Sequence, residues 1–152
     1  MPRKPAVRSF PPGVGQQNEQ FFEIVRQELS KSRIPVDGWY QDSVAASQTD
    51  VLLTRYTLWV APAPGAVRAL WVRSDAARAG GTLTIELFKN GTQLGVALVT
   101  LNATQTTFNV ARLERSTLPF LPGDILDLRL TTTGAWSPTT ANMVAGIEVE
   151  LK

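Results

Sequence analysis

The strongest constraint on the fold is an alternation of apolar and polar side chains that recurs in short segments of the last two thirds of the chain. In residues 82–88, Leu83, Ile85 and Leu87 alternate with threonine and glutamate. Residues 143–152 repeat the same pattern. Successive residues of a strand point to opposite faces of a sheet, so this period of two predicts strands with one buried face.

Turn sequences separate these segments at intervals of about 8–14 residues. Asn90-Gly91 supplies the two positive φ angles of a type I′ hairpin turn, and Pro122-Gly123-Asp124 is a second turn signal. The predicted strand segments are residues 51–60, 66–74, 82–88, 93–102, 106–113, 116–133 (interrupted by its turn) and 143–152. Short strands at this spacing predict a mainly β protein, an antiparallel jelly-roll-like β-sandwich over residues 51–152.

Three segments of different composition precede the predicted sandwich. Residues 1–17 are rich in proline and glycine, and proline fixes φ and biases its predecessor toward extended geometry. They are predicted to form an extended anchoring arm that lies on a neighbouring subunit, and the composition leaves a disordered terminus open as the alternative. Residues 18–33 are predicted to form one short α-helix with Asn18 as its N-cap. Residues 34–50 contain turn residues and are predicted to be a linker.

The predicted helix carries an apolar stripe that must be covered. Phe22, Val25 and Leu29 lie at i, i+3 and i+7, and Phe21 widens the stripe. A helix of this length is marginally stable alone. The sequence leaves open whether the β domain of the same chain covers the stripe or whether copies of the helix associate in a short bundle.

The charge of the chain is concentrated at its N-terminus. Arg3, Lys4 and Arg8 give residues 1–17 a charge of +3, and the remaining twelve basic and thirteen acidic residues leave the rest at −1. A folded domain that binds nucleic acid normally carries clustered Lys and Arg on its surface. The distribution therefore predicts no direct nucleic-acid role, and it suits an arm that meets an acidic protein surface.

The residue types needed for most catalytic sites are missing. The chain contains no histidine and no cysteine, which removes the ordinary catalytic triad, thiol nucleophiles and the commonest metal ligands. Asp124, near Asp127, lies in a turn where aspartate commonly accepts hydrogen bonds from backbone amides. Glu148 and Glu150 are expected to face solvent from the last strand. The sequence predicts a protein that is not an enzyme, with no catalytic residues, metal site or cofactor.

Membrane insertion is not expected either, because no stretch approaches the ~18 consecutive apolar residues of a membrane-spanning helix.

Three aromatic residues in predicted loops form the remaining candidate site: Trp39, Tyr40 and Trp136. Aromatic rings beside polar groups stack on sugar rings, and they also anchor protein–protein contacts. The sequence leaves both interpretations open.

The chain combines a Pro-rich basic anchor, a helix of the NEQFFEIVRQELSKS type and a β region that reads VRALWVRSDAARAGGTLTIELFKNGTQLG, then FLPGDILDLRLTTT and finally EVELK. This layout resembles small structural proteins of tailed bacteriophages and phage-like particles. In that group the N-terminal part docks on the virion and the sandwich is displayed outward, often as a trimer. The chain has no long coiled-coil shaft, which favours a capsid decoration, head spike or tail-fibre head over a complete fibre.

The resemblance implies a homo-oligomer, with a trimer favoured, on the exterior surface or tail of a virion. The implied partners are other virion proteins: capsid, portal, tail or fibre subunits. The residues expected to dock on them are Arg3, Lys4, Arg8, Phe10, Phe21, Phe22, Val25 and Leu29. The alternative is a carbohydrate-binding β-sandwich module that contacts host surface glycans through Trp39, Tyr40 or Trp136.

Overall fold

The computed structural model describes residues 20–21, 33–55, 57–114 and 117–152. Gln20 and Phe21 are helical, and residues 33–152 form a β domain. Its strands are β1 (Arg33–Gln41), β2 (Val51–Leu52), β3 (Trp59–Val60), β4 (Gly65–Ser74), β5 (Leu83–Lys89), β6 (Thr92–Leu101), β7 (Phe108–Arg112), β8 (Pro119–Phe120), β9 (Ile125–Thr132) and β10 (Met143–Leu151).

The strands form two antiparallel five-stranded sheets. Sheet 1 has the order β1-β10-β4-β7, and β8 also pairs with β4. Sheet 2 has the order β2-β9-β5-β6, and β3 also pairs with β9. If β2 with β3 and β7 with β8 are each counted as one broken strand, four strands remain in each sheet, connected as in a jelly roll. The prediction of a mainly β, antiparallel, jelly-roll-like sandwich is confirmed.

The core lies between the inner faces of the two sheets. Leu126, Leu128 and Leu130 alternate along β9 of sheet 2 and are at most 1% exposed. Leu70 of β4 and Ile147 of β10 belong to the same buried cluster from sheet 1, and both are fully buried. Side chains of two aligned sheets interdigitate in this way because each sheet has one apolar face to remove from water.

The hairpin between β5 and β6 forms as the sequence predicts. Asn90 and Gly91 have φ angles of 52° and 79°, which is the pair of positive values that a type I′ turn requires. The Asn90 amide donates to Oδ1 of Asp124 at 2.8 Å, and the backbone N–H of Leu121 donates to Oδ2 of Asp124 at 2.8 Å. The Asp124 carboxylate therefore joins two turns, and the structural interpretation of this residue is confirmed.

The segment predicted to be a linker over residues 34–50 is in part a strand of the sandwich. Residues 33–41 form β1, which pairs with β10 at the edge of sheet 1. Pro35 has no N–H to donate, and an edge strand tolerates this because one side of it is unpaired. Gly38 has φ +92° and lies where the register shifts between Val36 and Trp39. The proline and the turn-like glycine therefore mark an irregular edge strand, and the sandwich begins at Arg33 and not at residue 51.

The segment predicted as one strand over residues 51–60 is divided into β2 and β3. Both pair with β9, Val51 opposite Leu130 and Trp59 opposite Leu126. Residues 53–55, 57 and 58 are not part of either strand, although Thr54 still forms an isolated bridge to Tyr40.

The predicted arm, residues 1–17, lies outside the described residues. Of the predicted helix over residues 18–33, Gln20 and Phe21 are described as helical, whereas Arg33 is the first residue of β1. The docking residues Arg3, Lys4, Arg8, Phe10, Phe22, Val25 and Leu29 also lie outside the described residues. The roles of the arm and the helix stay predictions.

The Asp124 carboxylate predicts a specific pH dependence. Hydrogen bonds from the Leu121 N–H and then from Asn90 hold the pKa of Asp124 below its usual value of 3.8. A lowered pKa means that the folded state favours the carboxylate, so its contribution is complete above that value and is lost as the pH falls. We expect Asp124→Asn to lower the melting temperature at pH 7, with a difference from wild type that shrinks below about pH 4.

Thermal unfolding followed by circular dichroism from pH 2 to pH 7 measures this difference. Asp127→Asn is the matched control, because the structure gives the Asp127 carboxylate no hydrogen bond within the described residues. A pH-independent difference between wild type and Asp124→Asn would contradict the role assigned to the carboxylate.

Candidate interaction surface

The outer face of sheet 2 is polar on its central strands, and exposed leucines (Leu52 and Leu98) lie on its edge strands. The hydroxyl oxygens of Thr84 and Thr100 lie 3.2 Å apart across β5 and β6, and Glu86 is opposite Arg129 on β9. The guanidinium carbon of Arg129 lies 4.0 Å from the centre of the Phe88 ring. Phe88 is 5% exposed, so the arginine shields this outward-facing ring from solvent.

The outer face of sheet 1 differs, because apolar side chains cross it from edge to edge. Tyr40 of β1 is opposite Val144 of β10, Val144 is opposite Arg73 of β4, and Arg73 is opposite Phe108 of β7. Tyr40 is 36% exposed, Val144 43% and Phe108 50%. Outward positions of an antiparallel sheet with one solvated face are normally polar. Three of the four positions in this row are apolar.

A second row lies next to the first and contains a tryptophan. Gly146 of β10 is opposite Trp71 of β4, and Trp71 is opposite Val110 of β7. A Cβ atom on Gly146 would lie 2.5–2.7 Å from three atoms of the Trp71 indole. The indole therefore rests directly on the glycine, and any larger residue at position 146 would displace it. Tyr40, Trp71, Arg73, Phe108, Val110 and Val144 together are called the aromatic surface below.

Ion pairs bound the aromatic surface at one end of the sheet. Arg33 and Glu148 approach to 3.7 Å, and Arg68 and Glu150 to 3.5 Å. Glu150 is only 6% exposed, and Glu148 is partly buried. The expectation that both glutamates face solvent is therefore corrected: β10 is a central strand, and its neighbours β1 and β4 bring arginines over them.

At the opposite end of the aromatic surface, one aspartate is hydrogen-bonded to an asparagine, whereas two charged side chains have no such partner among the described residues. Both carboxylate oxygens of Asp75 accept hydrogen bonds from Asn142, one from its backbone N–H and one from its side chain, each at 2.8 Å. In contrast, Asp42 and Arg73 have no hydrogen bond or ion pair among the described residues. These side chains line a shallow groove that continues past Val144 toward Trp71 and Phe108.

The structure assigns the three candidate aromatic residues to different environments. Trp39 and Trp136 are 1% and 2% exposed and belong to the core, where the Trp136 Nε1–H donates to the Val44 carbonyl at 3.1 Å. Neither ring offers a face to a sugar or a partner, which corrects the expectation that they could form a platform. Tyr40 is exposed and belongs to the aromatic surface. Phe21 is 63% exposed.

The sequence did not single out Trp71, Arg73, Phe108 or Val144 as a shared site. The alternation in residues 106–113 pairs Phe108 with Val110, but the face that these two share is the outer one, while Ala111 packs against the core. A sequence signal existed in β4, where residues of both parities are apolar between Ala66 and Val72. Apolar residues on both faces of one strand indicate that both faces are covered.

A pair of acids lies elsewhere, on the polar outer side of sheet 2. Burial, a hydrogen bond with Asp50 and repulsion from the Asp50 carboxylate raise the pKa of Glu86 above its usual 4.5. Asp50 itself has a positive φ of 48°, and its backbone N–H donates to the Thr131 hydroxyl at 3.2 Å. Two carboxyl groups in contact favour a shared proton.

Neither protein-family models nor curated protein sequences match this chain. Among the described residues, no helix has the length and apolar character needed to cross a membrane. The same residues contain no group of three or more acidic side chains arranged to hold a metal ion.

The acid pair predicts a second pH effect, of opposite sign to that of Asp124. Because the folded state favours protonated Glu86, its contribution to stability is greatest below about pH 4.5 and falls as the pH rises through the raised pKa. We expect Glu86→Gln to raise the melting temperature at pH 7 and to have little effect below pH 4. The gain should shrink in an Asp50→Asn background, where only the burial of Glu86 still raises its pKa, and a gain of equal size in that background would contradict a shared proton.

The buried indole of Trp136 gives a test of the corrected aromatic assignment. Trp136→Ala should lower the free energy of unfolding by about 3–5 kcal/mol, because it leaves a large cavity and an unpaired Val44 carbonyl. Leu98→Ala is the control at an exposed apolar residue of sheet 2, where we expect a change below about 1 kcal/mol. Urea unfolding measures both values, and similar values for the two variants would contradict the assignment.

Proposed function

We propose that this chain is a non-enzymatic structural component of a phage or phage-like virion. It docks on neighbouring virion subunits through its N-terminal arm and helix and displays the β-sandwich on the exterior surface or the tail. Capsid decoration, spike base and fibre head are the roles that suit a compact domain with a short leader. Its partners are capsid, portal, tail or fibre subunits and other copies of the same chain, with a trimer favoured.

The observation that supports this proposal is the difference between the outer faces of the two sheets. The central strands of sheet 2 present threonines and charged side chains to water, with Leu52 and Leu98 exposed at its edges, whereas sheet 1 presents tyrosine, valine, tryptophan and phenylalanine in rows that cross its central strands. Exposed apolar patches rimmed by polar residues mark interaction sites on soluble domains. A domain with such a face is suited to a role in an assembly.

The proposed docking by the predicted arm and helix, residues 1–33, is based on the sequence. Arg3, Lys4 and Arg8 provide a basic arm, and Phe10 provides an apolar anchor within it. An extended arm gains contact area without a core of its own, and it is ordered at an entropic cost when it binds. Phe21 and the helical stripe add further apolar contacts.

A carbohydrate-binding module is the second candidate. The exposed rings of Tyr40 and Phe108 and the indole of Trp71 favour it, because flat aromatic faces stack on the C–H bonds of sugar rings. In this form the site is the aromatic surface, since Trp39 and Trp136 are buried.

Incorporation into particles tests the main proposal. An epitope-tagged full chain, produced in the source strain during particle production, should sediment with the particles in a density gradient. A chain that lacks residues 1–17 should remain at the top of the gradient and keep the circular dichroism spectrum of a folded sandwich. Absence of the full chain from the particles would contradict the virion role, and normal occupancy by the truncated chain would contradict docking by the arm.

A further inference from the structure

We infer that the aromatic surface is the face through which copies of this chain associate with one another. This inference deepens the proposed function by naming the partner of that surface, and it rests on the assembly role proposed above. The partner is a second copy of the same chain, and the contact is between outer faces of sheet 1.

Exposure of the apolar side chains of this surface to water is unfavourable in free energy. Its central rows span four strands, about 14 Å at ~4.8 Å per strand spacing. Tyr40, Phe108 and Val144 are each 36–50% exposed. Burial of apolar area stabilises a contact by roughly 25 cal/mol per Å². The central strands of sheet 2 carry threonine, glutamate and arginine at the matching outward positions, and its exposed leucines, Leu52 and Leu98, lie on the two edge strands. In sheet 1, by contrast, Val144 and Trp71 carry the apolar rows across the central strands.

The surface carries both signs of charge, on strands that are not adjacent. Asp42 follows β1 at one edge of sheet 1, and Arg73 lies on β4, two strands away. Neither group has an ion-pair partner among the described residues. When two copies face each other across a two-fold axis parallel to the strands, the β1 side of one copy lies over the β4–β7 side of the other. Each copy then offers its carboxylate to the guanidinium of its neighbour.

The indole of Trp71, in the second row of the surface, is held in place by the residues beneath and beside it. Trp71 rests on Gly146, and its strand neighbours Leu70 and Val72 are fully buried. A tryptophan held in one position loses little freedom when it is covered. Tryptophan, tyrosine and arginine are also the residue types that contribute most to protein–protein contacts. Trp71, Tyr40 and Arg73 provide one of each within this surface.

The polar groups at the end of the surface argue against a sugar as the main occupant. Saccharide sites need several hydrogen-bonding groups that converge on the ligand. Here both oxygens of Asp75 are already occupied by Asn142. What remains is a broad apolar face with one arginine and one carboxylate at its rim, which is the composition of a protein interface.

The mass of the full chain in solution tests the inference, using analytical ultracentrifugation from about 1 to 100 μM. Wild type should have a mass that is a multiple of 16.6 kDa. The double variant Phe108→Glu/Val144→Glu should be monomeric over this range. Leu98→Glu, a substitution at a 41% exposed residue of sheet 2, is the matched control and should keep the wild-type mass. Circular dichroism and thermal unfolding check that all variants are folded.

Charge exchange provides a second test that does not depend on disrupting the apolar rows. Arg73→Asp and Asp42→Arg should each raise the dissociation constant of the oligomer by about tenfold or more. The double variant with both substitutions should regain most of the wild-type affinity, because each copy again meets opposite charge. Equal weakening in the double variant would exclude this pairing.

The outcomes separate the inference from the proposed function. A monomeric wild type, or a Phe108→Glu/Val144→Glu variant that keeps the wild-type mass, overturns the inference even if the chain is found in particles. If wild type binds a glycan array and the Phe108→Glu/Val144→Glu variant loses that binding while it stays oligomeric, the inference is also overturned. The aromatic surface is then a sugar-binding site. An oligomer that dissociates as expected but never sediments with particles supports the inference and contradicts the virion role.

Discussion

The contact between the inner faces of the two sheets holds the other features of the domain in place. The β9 leucines face buried side chains of β4 and β10, and these strands are at the centre of their sheets. Because each central strand is fixed on its inner side, its outer side chains have little freedom. Trp71 and Arg73 gain their positions from Leu70 and Val72, which are fully buried on the same strand. The centre of the aromatic surface is therefore carried on a strand that is fixed by the core.

Because the sandwich is stabilised by the contact between its inner faces, the side chains on its two outer faces can differ in polarity. Sheet 2 uses this freedom for a solvated face with hydrogen-bonded threonines and an arginine that covers Phe88. Sheet 1 uses it for rows of apolar side chains, and its charged groups are placed around the edge. This difference between the outer faces links the fold to the proposed function, in which the apolar rows of sheet 1 are covered by another subunit.

The candidate site was less predictable than the fold. Trp39, Tyr40 and Trp136 are similar in the sequence, each an aromatic residue near polar neighbours, yet two are core residues and one is exposed. Trp39 and Tyr40 differ in burial because they lie on opposite faces of β1. Trp136 is buried where its N–H can donate to the Val44 carbonyl. Phe108 belongs to an alternating segment whose register no local signal specifies. The aromatic surface also joins four strands that are distant in the chain.

By itself, the sequence determined the strand periodicity, the positions of most turns and the antiparallel sandwich, since these depend on neighbouring residues. Asn90 and Gly91 adopt their predicted turn because its φ angles are a property of the two residues. The tertiary structure alone decided that residues 33–41 form β1, because their partner is β10, more than 100 residues away. It also decided which apolar residues face outward, because a strand has two faces and only the packing of the sheets selects one of them.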